Sequence, residues 1–179
     1  MKRLLLVATA ASIVWMLSAC AEPDVRREQP STPVPPPQTF SPATSPVARR
    51  LVSAPVRIVR SLRGIDPKVL ALFRTKVARA EISDVGGRFN ATDVVDDDAV
   101  PRRRLLFAGS APGLWFILYE HGGIGYHQNL VVFTRQETGR WQISAAAQGG
   151  VAPGEENLAG LQKALRRGSF SEQPGYPYY

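Results

Sequence analysis

The sequence predicts an α+β domain, an antiparallel sheet of about four to five strands packed with an N-terminal helix and a C-terminal helix. Three observations carry this expectation. Apolar residues recur at helical spacing directly after Asp66-Pro67, and a second amphipathic stretch ends at Gly168. Between them lie strand-like runs bounded by Gly, Pro and polar residues, with connections too short for the crossovers that a parallel sheet needs.

In order along the chain, Asp66 supplies a side-chain cap and Pro67 a residue whose missing N–H costs nothing at the first helical position. Val69, Leu70, Phe73, Val77 and Ala80 then form one stripe, predicting a helix over 67–80. Strands are expected at 86–95, 103–109, 114–121, 126–134 and 140–147. Leu114 to Tyr119 is wholly apolar, as for a strand covered on both faces, whereas Trp141 and Ile143 alternate with Gln142 and Ser144, as for a strand with one wet face. The last helix is expected over 155–167. Glu155 and Glu156 fall in its first turn, Arg166 and Arg167 in its last, and Gly168 is placed to cap it, with Leu158, Leu161 and Leu165 as its apolar stripe. The sheet is expected to curl around the first helix, with the last helix closing an edge or end. The folded domain is thus predicted over 56–168, with 169–179 as a flexible tail.

The N-terminal residues are of a different kind. Met1-Lys2-Arg3 is basic, and Leu4 to Leu17 is an apolar stretch interrupted by Thr9 and Ser12, too short and wrongly flanked for a lasting membrane span. It ends in Leu17-Ser18-Ala19-Cys20, which resembles the lipobox of bacterial lipoproteins. The resemblance covers residues 1–20. It implies a signal peptide over 1–19, cleavage before Cys20, and a Cys20 thiol carrying the lipid that inserts in the membrane. Ala21, in place of an Asp that would favour inner-membrane retention, implies an outer-membrane anchor with a periplasm-facing domain. Residues 21–55 hold nine of the fifteen prolines. The segment 20–55 is therefore expected to be a lipidated Cys followed by a disordered, proline-rich tether, with a reach on the order of 100 Å.

A single Cys excludes a disulfide framework and a cysteine-rich zinc module. The net charge is +7 for the chain, and residues 56–168 carry 16 basic against 11 acidic side chains. No nucleic-acid motif accompanies that charge, and nucleic acid is not expected as a partner. Arg57, Arg60 and Arg63 read as a solvated basic row. Asp96-Asp97-Asp98, followed by Arg102-Arg103-Arg104, reads as a charged hairpin, since it lacks the alternating ligands of a calcium loop.

The most unusual stretch is Tyr119-Glu120-His121-Gly122-Gly123-Ile124-Gly125-Tyr126-His127. Its glycines permit a tight hairpin, and a turn centred on Ile124 sets His121 opposite His127. Gly122, Gly123, Ile124, Gly125 and Tyr126 are the candidate partner-binding residues, because an aromatic on a close-approaching backbone suits an interface. Over fewer than about ten residues the loop is similar to the Gly- and Tyr-containing inhibitory loops of bacterial periplasmic lysozyme inhibitors, whose fuller motifs and disulfides it does not match. A catalytic or metal role for His121, His127 and Glu120 is the weaker alternative. Two imidazoles are too few ligands, and Glu120 points to the other face of a strand. No metal and no cofactor are expected. The reading is a lipid-anchored, non-enzymatic binding module with an envelope protein as partner. Its alternatives are an inhibitor or immunity protein against a wall-degrading enzyme or toxin, a structural accessory of an envelope machine, and a small envelope enzyme.

Overall fold

The computed structural model describes residues 36–77, 81–92, 99–123 and 125–173. The strands β1 (Arg57–Val59), β2 (Arg103–Ala111), β3 (Leu114–His121), β4 (His127–Arg135), β5 (Trp141–Gly149) and β6 (Phe170–Glu172) form one antiparallel sheet in sequence order. Three α-helices accompany it: α1 (Pro46–Ser53), α2 (Pro67–Lys76) and α3 (Leu158–Arg167). The domain is mixed α+β, with six strands rather than four or five.

Side chains alternate across each strand, so β3 sends half of its apolar run to each face. Leu114, Phe116 and Leu118 join a core with Leu51 of α1 and Leu161 and Leu165 of α3, whereas Trp115, Ile117 and Tyr119 join a second core with Val69 and Phe73 of α2. The sheet is therefore the middle of three layers. It does not curl around one helix, and α3 covers a face instead of closing an edge. A register shift between Leu105 and Phe107 places Leu105 in the α2 core and Phe107 in the opposite one.

The expected bounds of β2, β3, β4 and β5 differ from the structure by at most two residues at either end. The strand expected at 86–95 is not formed in its described part, residues 86–92, where the nearest pairing is a single bridge from Ser83 to Arg104. α2 begins as expected, the Asp66 carboxylate accepting from the Lys68 and Val69 amides, and it ends at Lys76. α3 starts at Leu158 because the Asn157 side chain accepts from the Gly160 amide and so takes the cap. Glu155 is left in the preceding turn, where it pairs with Lys163. Gly168, at φ +69°, ends α3 in the left-handed conformation expected for it.

The domain also reaches further in both directions than 56–168. The compact unit begins at Pro35, so the described residues 36–55 are part of the fold and no tether. Phe40 is fully buried, Thr39 bridges Ser171, and Ser45 caps α1, which buries Ala48 and Leu51. Ser45-Pro46 is the same cap-then-proline start as Asp66-Pro67, set among prolines that suggested an extended chain. At the other end, Phe170 is buried and opens β6, so the tail does not begin at 169. The signal peptide, Cys20, the Asp96–Asp98 run and Ile124 lie outside the described residues. No helix among the described residues is long and apolar enough to cross a membrane.

Because α1 roofs one core, Leu51→Ala is expected to cost about 2–5 kcal/mol in chemical denaturation, the range for a buried Leu truncated to Ala. A chain lacking 36–55 should lose cooperative unfolding altogether. An unchanged midpoint in either variant would show that α1 contributes nothing to the core.

Candidate functional site

The β3–β4 ladder ends at the pair His121 and His127, which leaves Gly122–Tyr126 as the connection. Gly122 is required by close approach. A Cβ there would lie 1.9 Å from the Asn90 carbonyl oxygen, while its amide donates to the Arg102 carbonyl at 2.9 Å. Gly123 and Gly125 take φ values of +116° and +85°, which the expected tight hairpin needs. Of the five candidate partner-binding residues, Gly122, Gly123, Gly125 and Tyr126 are therefore placed together at one end of the sheet.

Tyr126 is 52% exposed, yet it is not loose. Its hydroxyl donates to Glu120 Oε2 at 2.8 Å, and Arg104 Nε donates to Glu120 Oε1 at 2.5 Å. Glu120 is only 3% exposed, so these two donors offset the cost of burying its carboxylate. Arg104 lies 4.2 Å from the centroid of the Phe89 ring and donates to the Gly87 carbonyl at 3.2 Å. Burial, and then the neighbouring Glu120 carboxylate, raise the Tyr126 hydroxyl above its ordinary value, so it remains a protonated donor at neutral pH.

The two histidines meet as expected, with ring centroids 5.1 Å apart and planes at 83°. His127 Nδ1 lies 2.8 Å from the Gly125 carbonyl oxygen, to which it donates. Burial, followed by the positive charges of Arg103, His127 and Arg102, pushes His121 down to about 4. Glu120 lies on the other face, in line with Phe116 and Leu118, and is engaged by Arg104 and Tyr126. The three members of the alternative catalytic set are thus neighbours in sequence but divided by the sheet. Among the described residues, no group of three or more His, Cys, Asp or Glu is arranged to hold a metal.

Three residues near this hairpin were not singled out as site residues from the sequence. Arg104 is the counter-ion of Glu120. Arg103 and Asn129 are buried on the histidine face, where Arg103 Nε and both side-chain polar atoms of Asn129 lack a hydrogen-bond partner. A signal for Asn129 does exist in the sequence: it falls in step with Val131 and Phe133 on the buried side of an apolar strand.

The site thus belongs to a three-layer α+β domain with a glycine-rich hairpin at one end of its sheet. No family model, no curated protein and no solved structure matches this chain.

Two outcomes follow from these contacts. Tyr126→Phe keeps the ring and removes a donor from a buried carboxylate, so it should cost about 1.5–3 kcal/mol in denaturant unfolding. No loss would mean that Glu120 does not depend on the phenol. For His121, the unfolded chain takes up its proton near 6.5, whereas the folded protein resists protonation until about 4. The His121 contribution to stability is full above about pH 6.5, falls as the pH drops from 6.5 towards 4, and is flat below that. Thermal midpoints of His121→Gln should accordingly fall less steeply across this window than those of the wild type. Parallel curves would remove His121 from the acid response.

Proposed function

We propose that this protein is a lipid-anchored lipoprotein of the bacterial envelope, held in the outer membrane through Cys20, whose domain is a non-enzymatic binding module for an envelope protein. The observation that carries the binding role is the state of Tyr126, an exposed ring whose hydroxyl is held by a buried carboxylate. Such an aromatic is already ordered, so a partner gains its contact area with little side-chain entropy left to lose. The large hydrophobic residues exposed among the described residues are Tyr126 and Val85. The chain from Tyr126 through Glu120 and Arg104 to the Gly87 carbonyl ties the hairpin to the 84–88 loop, so the exposed ring stands on a braced backbone. Blocking a wall-degrading enzyme or toxin, or docking within an envelope assembly, is a form that such contact can take.

The anchor rests on Leu17-Ser18-Ala19-Cys20. Cys20→Ser removes the one thiol of the chain, and the variant should lose acyl labelling and membrane fractionation. Labelling at the wild-type level would end the lipoprotein reading.

Contact through the ring is tested by capturing partners from envelope extract with the full-length chain. Tyr126→Ala should weaken capture by about thirtyfold, equivalent to about 2 kcal/mol, whereas Tyr126→Phe, which keeps the ring but releases it from Glu120, should weaken it by less. Equal capture by all three chains would show that the ring is no contact.

A further inference from the structure

The α2 side of the sheet ends in a polar group that the Tyr126 surface does not use. Arg103, His121 and His127 form one cross-strand row on β2, β3 and β4, and Leu105, Tyr119 and Asn129 form the next row inward. Leu105 and Tyr119 belong to the α2 core, as does Val131, two residues beyond Asn129, so alternation puts both rows on that side. Arg103 is 5% exposed and Asn129 is 1% exposed. Neither Arg103 Nε nor the Asn129 amide nitrogen or oxygen has a hydrogen-bond partner. The ion pairs among the described residues join Arg104 to Glu120 and Lys163 to Glu155, and Arg103 takes part in neither.

A buried guanidinium with no counter-charge among the described residues and an unmet Nε is expensive for a fold to keep, and a buried amide with both ends unmet adds to the cost. Buried polar groups are almost always satisfied, so unmet groups on the same face of neighbouring strands mark a place where something can bind. The two residues flank β3 from either side. With neighbouring strands about 4.8 Å apart and the two rows about 7 Å apart along the strands, the Arg103 and Asn129 backbones are separated by about 12 Å, a gap that an Arg and an Asn side chain can bridge around a small molecule.

The geometry points to a binding site for a small oxyanion that also carries a hydroxyl, held between Arg103 and Asn129 beside His121. The guanidinium supplies charge and directional donors, as it does wherever carboxylate or phosphate is recognised. The Asn129 amide nitrogen donates to an anion oxygen, and its carbonyl accepts from the ligand hydroxyl, which is why a bare carboxylate leaves the site half met. His121 is uncharged at neutral pH, so it offers a neutral ring nitrogen beside the anion and adds no second charge. Hydrogen phosphate and a small hydroxycarboxylate share this chemistry. The site lies across the sheet from Glu120 and stands independently of any contact made by Tyr126.

The test uses the full-length chain in detergent, titrated at constant ionic strength with inorganic phosphate and, separately, with lactate. The His121 and His127 ring resonances of the wild type are followed by NMR and its thermal midpoint by calorimetry. Saturable ring shifts with a rising midpoint are expected for at least one of the two, and which one responds identifies the source of the oxyanion. Arg103→Gln and Asn129→Leu should each weaken that response by about tenfold or more. No saturable response in the wild type overturns the proposal, as does an equal response in both variants. A chain with Asp96, Asp97 and Asp98 all changed to Asn serves as a further arm. Phosphate binding that appears only in this chain would assign Arg103 to the protein's own acidic run and also overturn the proposal.

Discussion

Because seven of the eight residues of β3 are buried, both faces of the sheet have to be roofed by helices, and that requirement decides how much chain the fold recruits. One face is served by α2, through Val69 and Phe73, with Val59, Ile65, Val77 and Ile82 filling in around it. The other needs α1 and α3 together, with Phe40 and Phe170 filling in beside them. Each large side chain buried in this way is worth about 1.5–3 kcal/mol, so a roof made of one helix would leave much of that face wet. The residues between Phe40 and Ser53, which look like linker by composition, are held in place by this demand.

The same alternation that makes two cores also sorts the chemistry at the hairpin end. Arg104 and Glu120 are paired on the α1–α3 side with Tyr126, whereas Arg103, His121, His127 and Asn129 share the α2 side. Successive residues therefore take opposite parts. The carboxylate of Glu120 is satisfied by two donors, and the adjacent His121 belongs to a group with Arg103, His127 and Asn129 that has no carboxylate among the described residues. The bulge between Leu105 and Phe107 is part of this sorting, because it lets β2 present Arg103 and Leu105 to one side and Phe107 to the other.

What could be read in the sequence follows from how locally each feature is determined. The long central strands announce themselves by apolar runs and turn residues, and α2 by its cap, its proline and its stripe. β1 and β6 are three residues each, and their strand character comes from the neighbour they pair with, which no local pattern records. α1 carries a readable start in Ser45-Pro46, but the surrounding prolines favour extended chain by composition and mask it. At the hairpin, the facing of His121 and His127 depends on one turn and was legible. The partnership of Arg104 with Glu120 depends on the β2 register and its bulge, sixteen residues away, and was not.

The pairing of residues 38–40 with β6 has a mechanical consequence. The Phe40 amide donates to the Phe170 carbonyl at 2.8 Å and the Glu172 amide to the Gln38 carbonyl at 2.6 Å, so the entering chain is stitched along the sheet edge before it reaches α1. A pull on the chain ahead of Gln38 meets the Gln38–Glu172 bond first, and then the Phe40 bond together with the buried Phe40 ring. Tension is passed to β6, and through it to Gly149 and the rest of the sheet, so α1 is shielded until the stitch has parted.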